Sequence, residues 1–182
     1  MSTLLIRDQT EADFSAVHDL VITAFKTLPI ACGREQFVMD DLWRRRAATV
    51  ALIAEEVSAY GRHLLVGQAA FSKITINGAD LGWHGCGPLS VLPARHGLGI
   101  GTALMREGLN RLKTLGSKGC VVVGDPNYYL RFGFAHTRTL REPSVPPDAF
   151  MALRFAGDMP SGEVALDSAF EVAGANASGL PI

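Results

Sequence analysis

The chain has 182 residues, 48% hydrophobic and 19% charged, with a formal net charge of −1. This length gives one domain, or one domain with an appendage, and enough chain to bury a sizeable core. The near-neutral balance leaves no electrostatic footprint for nucleic acid, and no apolar run approaches the length of a membrane span.

The N-terminus, Met1-Ser2-Thr3-Leu4-Leu5-Ile6-Arg7, lacks a charged region before its apolar residues and runs into Asp8, Glu11 and Asp13, which is not the pattern of a signal peptide. Residues 3–7 read as a first strand. Thr10 is a suitable N-cap for a helix that carries Glu11 and Asp13 in its first turn. Phe14, Val17, Val21, Phe25 and Leu28 recur at helical spacing, and Pro29 ends the run. A second helix is expected over residues 34–46, with Phe37, Val38, Leu42 and Trp43. Its terminal Arg44-Arg45-Arg46 reads as a solvated helix end, where cations suit the dipole. Residues 50–54 and 63–76 read as strands. Asn77-Gly78 between strand-like flanks is a hairpin signal, so the strand over residues 80–91 runs antiparallel to its predecessor. Gly82, Gly85 and Gly87-Pro88 inside that strand mark bulges or close backbone approach.

A helix follows to about Leu115. Ile100, Leu104, Met105, Leu109, Leu112 and Leu115 form its buried stripe, Glu107 and Arg111 an exposed pair, and Gly116 its end. Cys120-Val121-Val122-Val123 has the continuous apolar pattern of a buried strand. Strand, helix and strand make a right-handed crossover, so the two strands are parallel. Pro143, Pro146 and Pro147 mark a loop, and residues 151–155 a late strand. The expected class is α/β (α+β): a mixed, mostly antiparallel central sheet flanked by helices, with one parallel βαβ unit. Residues 1–173 make a single domain and 174–182 a small-residue tail. Cys32, Cys86 and Cys120 have no CxxC pairing and read as reduced thiols of a cytoplasmic protein, so the sequon Asn176-Ala177-Ser178 is discounted. The five histidines, His18, His63, His84, His96 and His136, show no metal-ligand spacing, so no metal is expected.

The stretch His96-Gly97-Leu98-Gly99-Ile100-Gly101, between a strand and a helix, carries the functional signal. Glycines let the backbone turn tightly and approach a ligand closely. The N–H groups at a helix start lack intrahelical partners, and the dipole adds positive charge there. Such a site suits a phosphate or pyrophosphate. The Gly97-x-Gly99-x-Gly101 spacing lacks the last interval of a dinucleotide fingerprint and lies mid-chain, and there is no GxxxxGK[ST] string.

The stretch from Gly87 to Phe134 resembles the GNAT superfamily of acyl-CoA-dependent N-acyltransferases. The family signature is Gln or Arg, two residues, Gly, one residue, then Gly or Ala, and its first position is His96 here, preceded by Arg95. Downstream, Gly124-Asp125-Pro126-Asn127-Tyr128-Tyr129-Leu130-Arg131-Phe132-Gly133-Phe134 resembles a bacterial subgroup with a DPxYYxRFGF string. The resemblance implies the GNAT fold, with the strand before the glycine loop splayed from the strand after its helix and the pantetheine arm of acetyl-CoA in the gap. It implies cofactor binding by Leu89, Val91, His96, Gly97, Leu98, Gly99, Ile100, Gly101 and Thr102. It also implies that Tyr129, four residues before Gly133, protonates the departing thiolate, with Tyr128 as the neighbour able to take that role. The expected activity is direct acetyl transfer to a primary amine of a small molecule or peptide, without nucleic acid or membrane partners and with a homodimer left open. The base is His84, Asp80 or water. Cys86 as an acylated nucleophile is the less favoured reading, because no positive neighbour is evident. A non-catalytic acyl-CoA-binding or regulatory module is the alternative, and a Rossmann-type nucleotide enzyme a third.

Overall fold

A computed structural model describes residues 2–26 and 33–172. Leu28, Pro29, Cys32, the sequon at Asn176 and the expected tail over residues 174–182 lie outside the described residues. In chain order the strands are β1 (Thr3–Asp8), β2 (Ala48–Val57), β3 (His63–Lys73), β4 (Thr75–Ile76), β5 (Trp83–Val91), β6 (Gly119–Val123), β7 (Leu140–Arg141), β8 (Phe150–Arg154) and β9 (Gly162–Ala165). The helices are α1 (Phe14–Phe25), α2 (Glu35–Arg44), α3 (Ile100–Thr114), α4 (Pro126–Tyr129) and α5 (Ala169–Val172).

Six strands form the main sheet in the order β1-β2-β3-β5-β6-β8. Only β5 and β6 run parallel; the other neighbours are antiparallel. Side chains alternate between the faces along each strand. On β2, Leu52 joins the cluster under α3 and Ile53 the cluster under α1 and α2; on β3, Ala69 and Ala70 divide the same way. The α3 stripe of Leu104, Met105, Leu109 and Leu112 is buried on the first face, and Val17, Val21, Phe25, Val38 and Leu42 on the second. Full burial of each such side chain contributes about 1.5–3 kcal/mol, so the two apolar layers hold the sheet between them.

The local signals explain most of the boundaries. Asn77 and Gly78 have φ of 50° and 79°, the left-handed pair that a tight hairpin turn needs. The strand after the turn starts at Trp83, later than the sequence predicts, because the Asp80 carboxylate accepts the Gly82 N–H at 2.9 Å and makes its own turn. The strand before the turn is broken. β3 ends at Lys73, and β4 leaves for a small second sheet with β9 and β7. Those segments and α5 are two to four residues long, too short for a periodic pattern. Leu115, expected in the α3 stripe, is 62% exposed because the helix ends at Thr114. Two of the three arginines at the end of α2 are engaged: Arg45 pairs with Asp41 at 2.7 Å and with Asp167, and Arg44 lies over the Phe14 ring.

β5 departs from regular pairing in two ways. Against β3, the register passes from Ala69↔Leu89 to Phe71↔Cys86, so three steps on β5 face two on β3. Gly87-Pro88 form this bulge. Against β6, pairing covers only Trp83↔Gly119, His84↔Cys120 and Gly85↔Val121. From Cys86 onward the two strands part.

Gly108 shows how closely α3 sits on the sheet. A Cβ at this position would run into Cε2 and Cζ of Phe71, which is fully buried. Gly108→Ala should therefore destabilise the fold although alanine favours helix by about 1 kcal/mol, because overpacking costs typically about 1–3 kcal/mol. A lower urea midpoint at unchanged slope is the expected result.

Candidate functional site

The β5–α3 connection turns through a short 3-10 segment, Pro93–Arg95, and then His96. Gly97 and Gly99 have φ of 76° and 80°, so both need the left-handed region that glycine enters without strain. Ideal Cβ atoms at these two positions meet nothing within 4 Å. They are glycine for backbone conformation and for the open space in front of them. Ala103 N–H donates to Gly99 O at 2.9 Å and opens the helical ladder, which leaves the N–H groups of the preceding turn at the helix mouth.

In front of this mouth lies a cleft of about 430 Å³. Of the expected cofactor-binding residues, Val91, His96, Gly97, Gly99, Ile100, Gly101 and Thr102 line it. Leu98 and Leu89 do not. The Leu98 side chain is 65% exposed beside the cleft, and Leu89 is buried under α3 at the opening between β5 and β6. The opposite wall is Asp125, Asn127, Tyr128 and Arg131. Asp125 caps α4 by accepting the Asn127 N–H at 2.9 Å. The Arg131 guanidinium stacks over the Tyr128 ring at 4.8 Å and donates to Asn127 O at 3.2 Å. Arg95 also reaches the cleft, held by Glu56 at 2.8 Å. Two guanidinium groups and a helix N-terminus supply positive charge around one cleft, with Asp125 the carboxylate in its lining and Glu56 paired to Arg95.

Arg95, Asp125, Asn127 and Arg131 are wall residues that the sequence argument did not assign. Three of them fall inside the GDPNYYLRFGF string, so their proximity in sequence to the tyrosines was the available signal. His96 is also used in a way its position does not reveal. Its Nε2 donates to Val91 O at 2.9 Å, tying the loop back to the end of β5.

The two tyrosines separate as neighbours on a helix must. Tyr128 lines the cleft, and its hydroxyl lies 2.7 Å from where a Gly101 Cβ would stand. Burial pushes its phenol up to about 12. Tyr129 is 2% exposed, does not line the cleft, and packs in the core with Cys86 of β5, Cys120 of β6 and Phe134. Burial, then the neighbouring Cys86, pushes its phenol well above the usual range.

The candidate bases lie elsewhere. His84 is seven residues before Val91 on β5, about 23 Å along an extended strand, and two residues before Cys86. Its Nδ1 bonds Ser117 Oγ at 2.8 Å, and Ser117 in turn faces the carbonyls of Gly82 and Gly119. Burial lowers the His84 pKa and favours the neutral ring. Asp80 pairs with Lys73 at 2.8 Å in the hairpin. Burial pushes the Cys86 thiol far above its ordinary range, so it stays protonated and unreactive. Among the described residues, no group of three or more His, Cys, Asp and Glu could hold a metal ion.

A sheet that opens between two parallel strands, with an anion-binding helix mouth at the opening, is the frame of an acyltransferase built around a diphosphate-bearing cofactor. Residues 5–137 match the family model described as acetyltransferase (GNAT) domain. The chain belongs to the GNAT acetyltransferase family. It is 30% identical over 167 residues to the protein named uncharacterized N-acetyltransferase YhbS of Escherichia coli K12, covering 90% of this chain and 94% of YhbS. Two solved structures share the fold at high coverage. A GNAT family acetyltransferase from Brucella melitensis in complex with acetyl-CoA has a TM-score of 0.80 and 39% identity, over 92% of this chain and 98% of that one. Escherichia coli YhbS in complex with CoA has a TM-score of 0.81 and 29% identity, over 94% and 93%.

Gly99→Val tests the helix mouth directly. A β-branched residue at φ near 80° strains the backbone by roughly 1–2 kcal/mol, and its side chain stands in the anion's approach. Inorganic pyrophosphate should raise the melting temperature of the native chain and leave that of folded Gly99→Val unchanged. An equal shift in both would remove the loop from the site.

Proposed function

We propose that this protein transfers an acetyl group from acetyl-CoA directly to a primary amine. The single observation carrying this reading is the parting of β5 from β6 beside the glycine-lined helix mouth. The pyrophosphate sits on the N–H groups before Ala103, within reach of Arg95 and Arg131. The pantetheine arm enters between β5 and β6 along Leu89 and Val91. The acceptor, a small-molecule or peptide amine, approaches under α1 and α2. Buried, free Cys86 and Cys120 accord with a reducing, cytoplasmic setting.

The chemistry asks little of side chains. The amine must arrive neutral, the tetrahedral oxyanion needs a donor, and the leaving thiolate needs a proton; juxtaposing the two substrates supplies much of the rate. The proton donor is Tyr129. The thioester lies at the far end of the arm from the pyrophosphate, so its donor belongs where the strands part and not at the helix mouth. Tyr129 packs beside Cys86 at that point, and its raised pKa keeps it protonated. Tyr128 stands at the mouth, over Gly101, and flanks the arm.

Two measurements test this. Acetyl-CoA should stabilise the protein by about 2.7 kcal/mol at a hundred times its Kd, and a library of aliphatic, polyamine, aminoglycoside and peptide amines should include one that releases thiol with turnover. Stabilisation without thiol release from any amine would assign a binding module instead. With an acceptor in hand, Tyr129→Phe should slow the single-turnover step on the order of 10²-fold, with CoA affinity retained. Tyr128→Phe should leave that step near the native rate. The reverse pattern would move the acid to Tyr128.

A further inference from the structure

Gln68 lies on β3 opposite Ser90, with no exposed surface. Its Nε2 donates to Pro88 O at 3.1 Å and to Ser90 Oγ at 3.0 Å. Its Oε1 has no partner. A buried amide with an unmet acceptor is a poor choice for stability, since a leucine or methionine would fill the space with no polar group to desolvate. A residue that breaks a packing rule at this depth calls for a second reason.

The reason lies in the peptide it grips. The bulge at Gly87-Pro88 takes the Pro88 carbonyl out of the β3–β5 ladder. Leu92 N–H donates to Val66 O at 2.9 Å, which sets the alternation along this part of β5. Ser90, like Leu92, turns its backbone groups toward β3, and Leu89 and Val91 turn theirs away, toward the opening beside β6. Pro88 C=O and Leu89 N–H belong to one planar unit and point in opposite directions. Holding the Pro88 oxygen toward β3 therefore aims the Leu89 N–H into the gap.

We infer that Gln68 is a positioning residue for the acyl arm of the cofactor. It acts through the Pro88–Leu89 peptide plane, fixing the direction of a backbone donor that faces the arm, and it does not itself touch the reacting atoms. The inference rests on the acetyl-CoA reading above. It assigns a chemical role to a β3 side chain that is remote in sequence from the glycine loop.

The test compares CoA with ADP, which keeps the pyrophosphate and lacks the arm. The native protein should bind CoA more tightly than ADP. Gln68→Met keeps the volume and removes the donor. Gln68→Asn keeps an amide but draws it back by one methylene from Pro88. Whichever of these folds should lose about tenfold or more in CoA affinity while ADP affinity changes little. Ser90→Ala leaves the Pro88 bond in place and should retain the native preference. A Gln68 variant that keeps the native CoA-to-ADP ratio overturns the inference, as does an equal loss for both ligands, which is what a merely structural role would give. A native protein with no preference for CoA over ADP would overturn the acetyl-CoA reading itself, and this role with it.

Discussion

β5 must be a sheet strand at one end and an open ligand edge at the other. At residues 83–85 it is paired on both sides, to β3 and to β6. From Cys86 it keeps β3 and loses β6. A strand cannot abandon one neighbour and keep the other without a local change in twist, and an inserted residue is the ordinary way to make one. Gly87-Pro88 does this, and proline has no N–H that the ladder could miss. The placement of the cleft and the loss of a β6 partner for Leu89 and Val91 follow from this one irregularity.

The second constraint is that the open edge must end on an anion site. β5 delivers the chain to the loop within a few residues of the opening, and two left-handed glycines turn it into α3 with the helix mouth facing the gap. The sequence contains almost equal numbers of acids and bases, 18 and 17. The positive character of the cleft comes from placement. Arg95 and Arg131 are brought to one cavity from residues 36 apart, and oriented peptide dipoles, which no composition records, add to them.

Much of the fold was legible because its signals are local. Asn77-Gly78 fixed a hairpin from two residues, the α3 stripe repeats at helical spacing, and Cys120–Val123 is apolar throughout because its strand is covered on both faces. The parallel pair followed from the handedness of the crossover. What was not legible depends on contacts between distant residues. The departure of β4 into a second sheet depends on β9, nearly ninety residues later. Tyr128 and Tyr129 are adjacent, yet one borders the cleft and the other packs against Cys86, a difference set by where α4 sits on the sheet. The grip of Gln68 on Pro88 spans twenty residues and carries no motif. His96, where the resembling family has Gln or Arg, bonds Val91 through its ring nitrogen and so ties the loop to the end of β5, a contact between residues five apart that no spacing rule announces.

The burial of Tyr129 bears directly on the acid role proposed for it. Burial holds the phenol in its neutral form, so it has a proton to give and is not the base that takes one from the amine. His84, a candidate base, lies two residues from Cys86 on β5 with its Nδ1 engaged by Ser117. Asp80 is held in its turn by Lys73. Water is the third candidate base. In the proposed reading the acceptor meets the surface of α1 and α2, and holding the two substrates together supplies much of the rate. The cofactor half of such a site is built largely from backbone groups, which is why a glycine loop and a bulged strand carry so much of it.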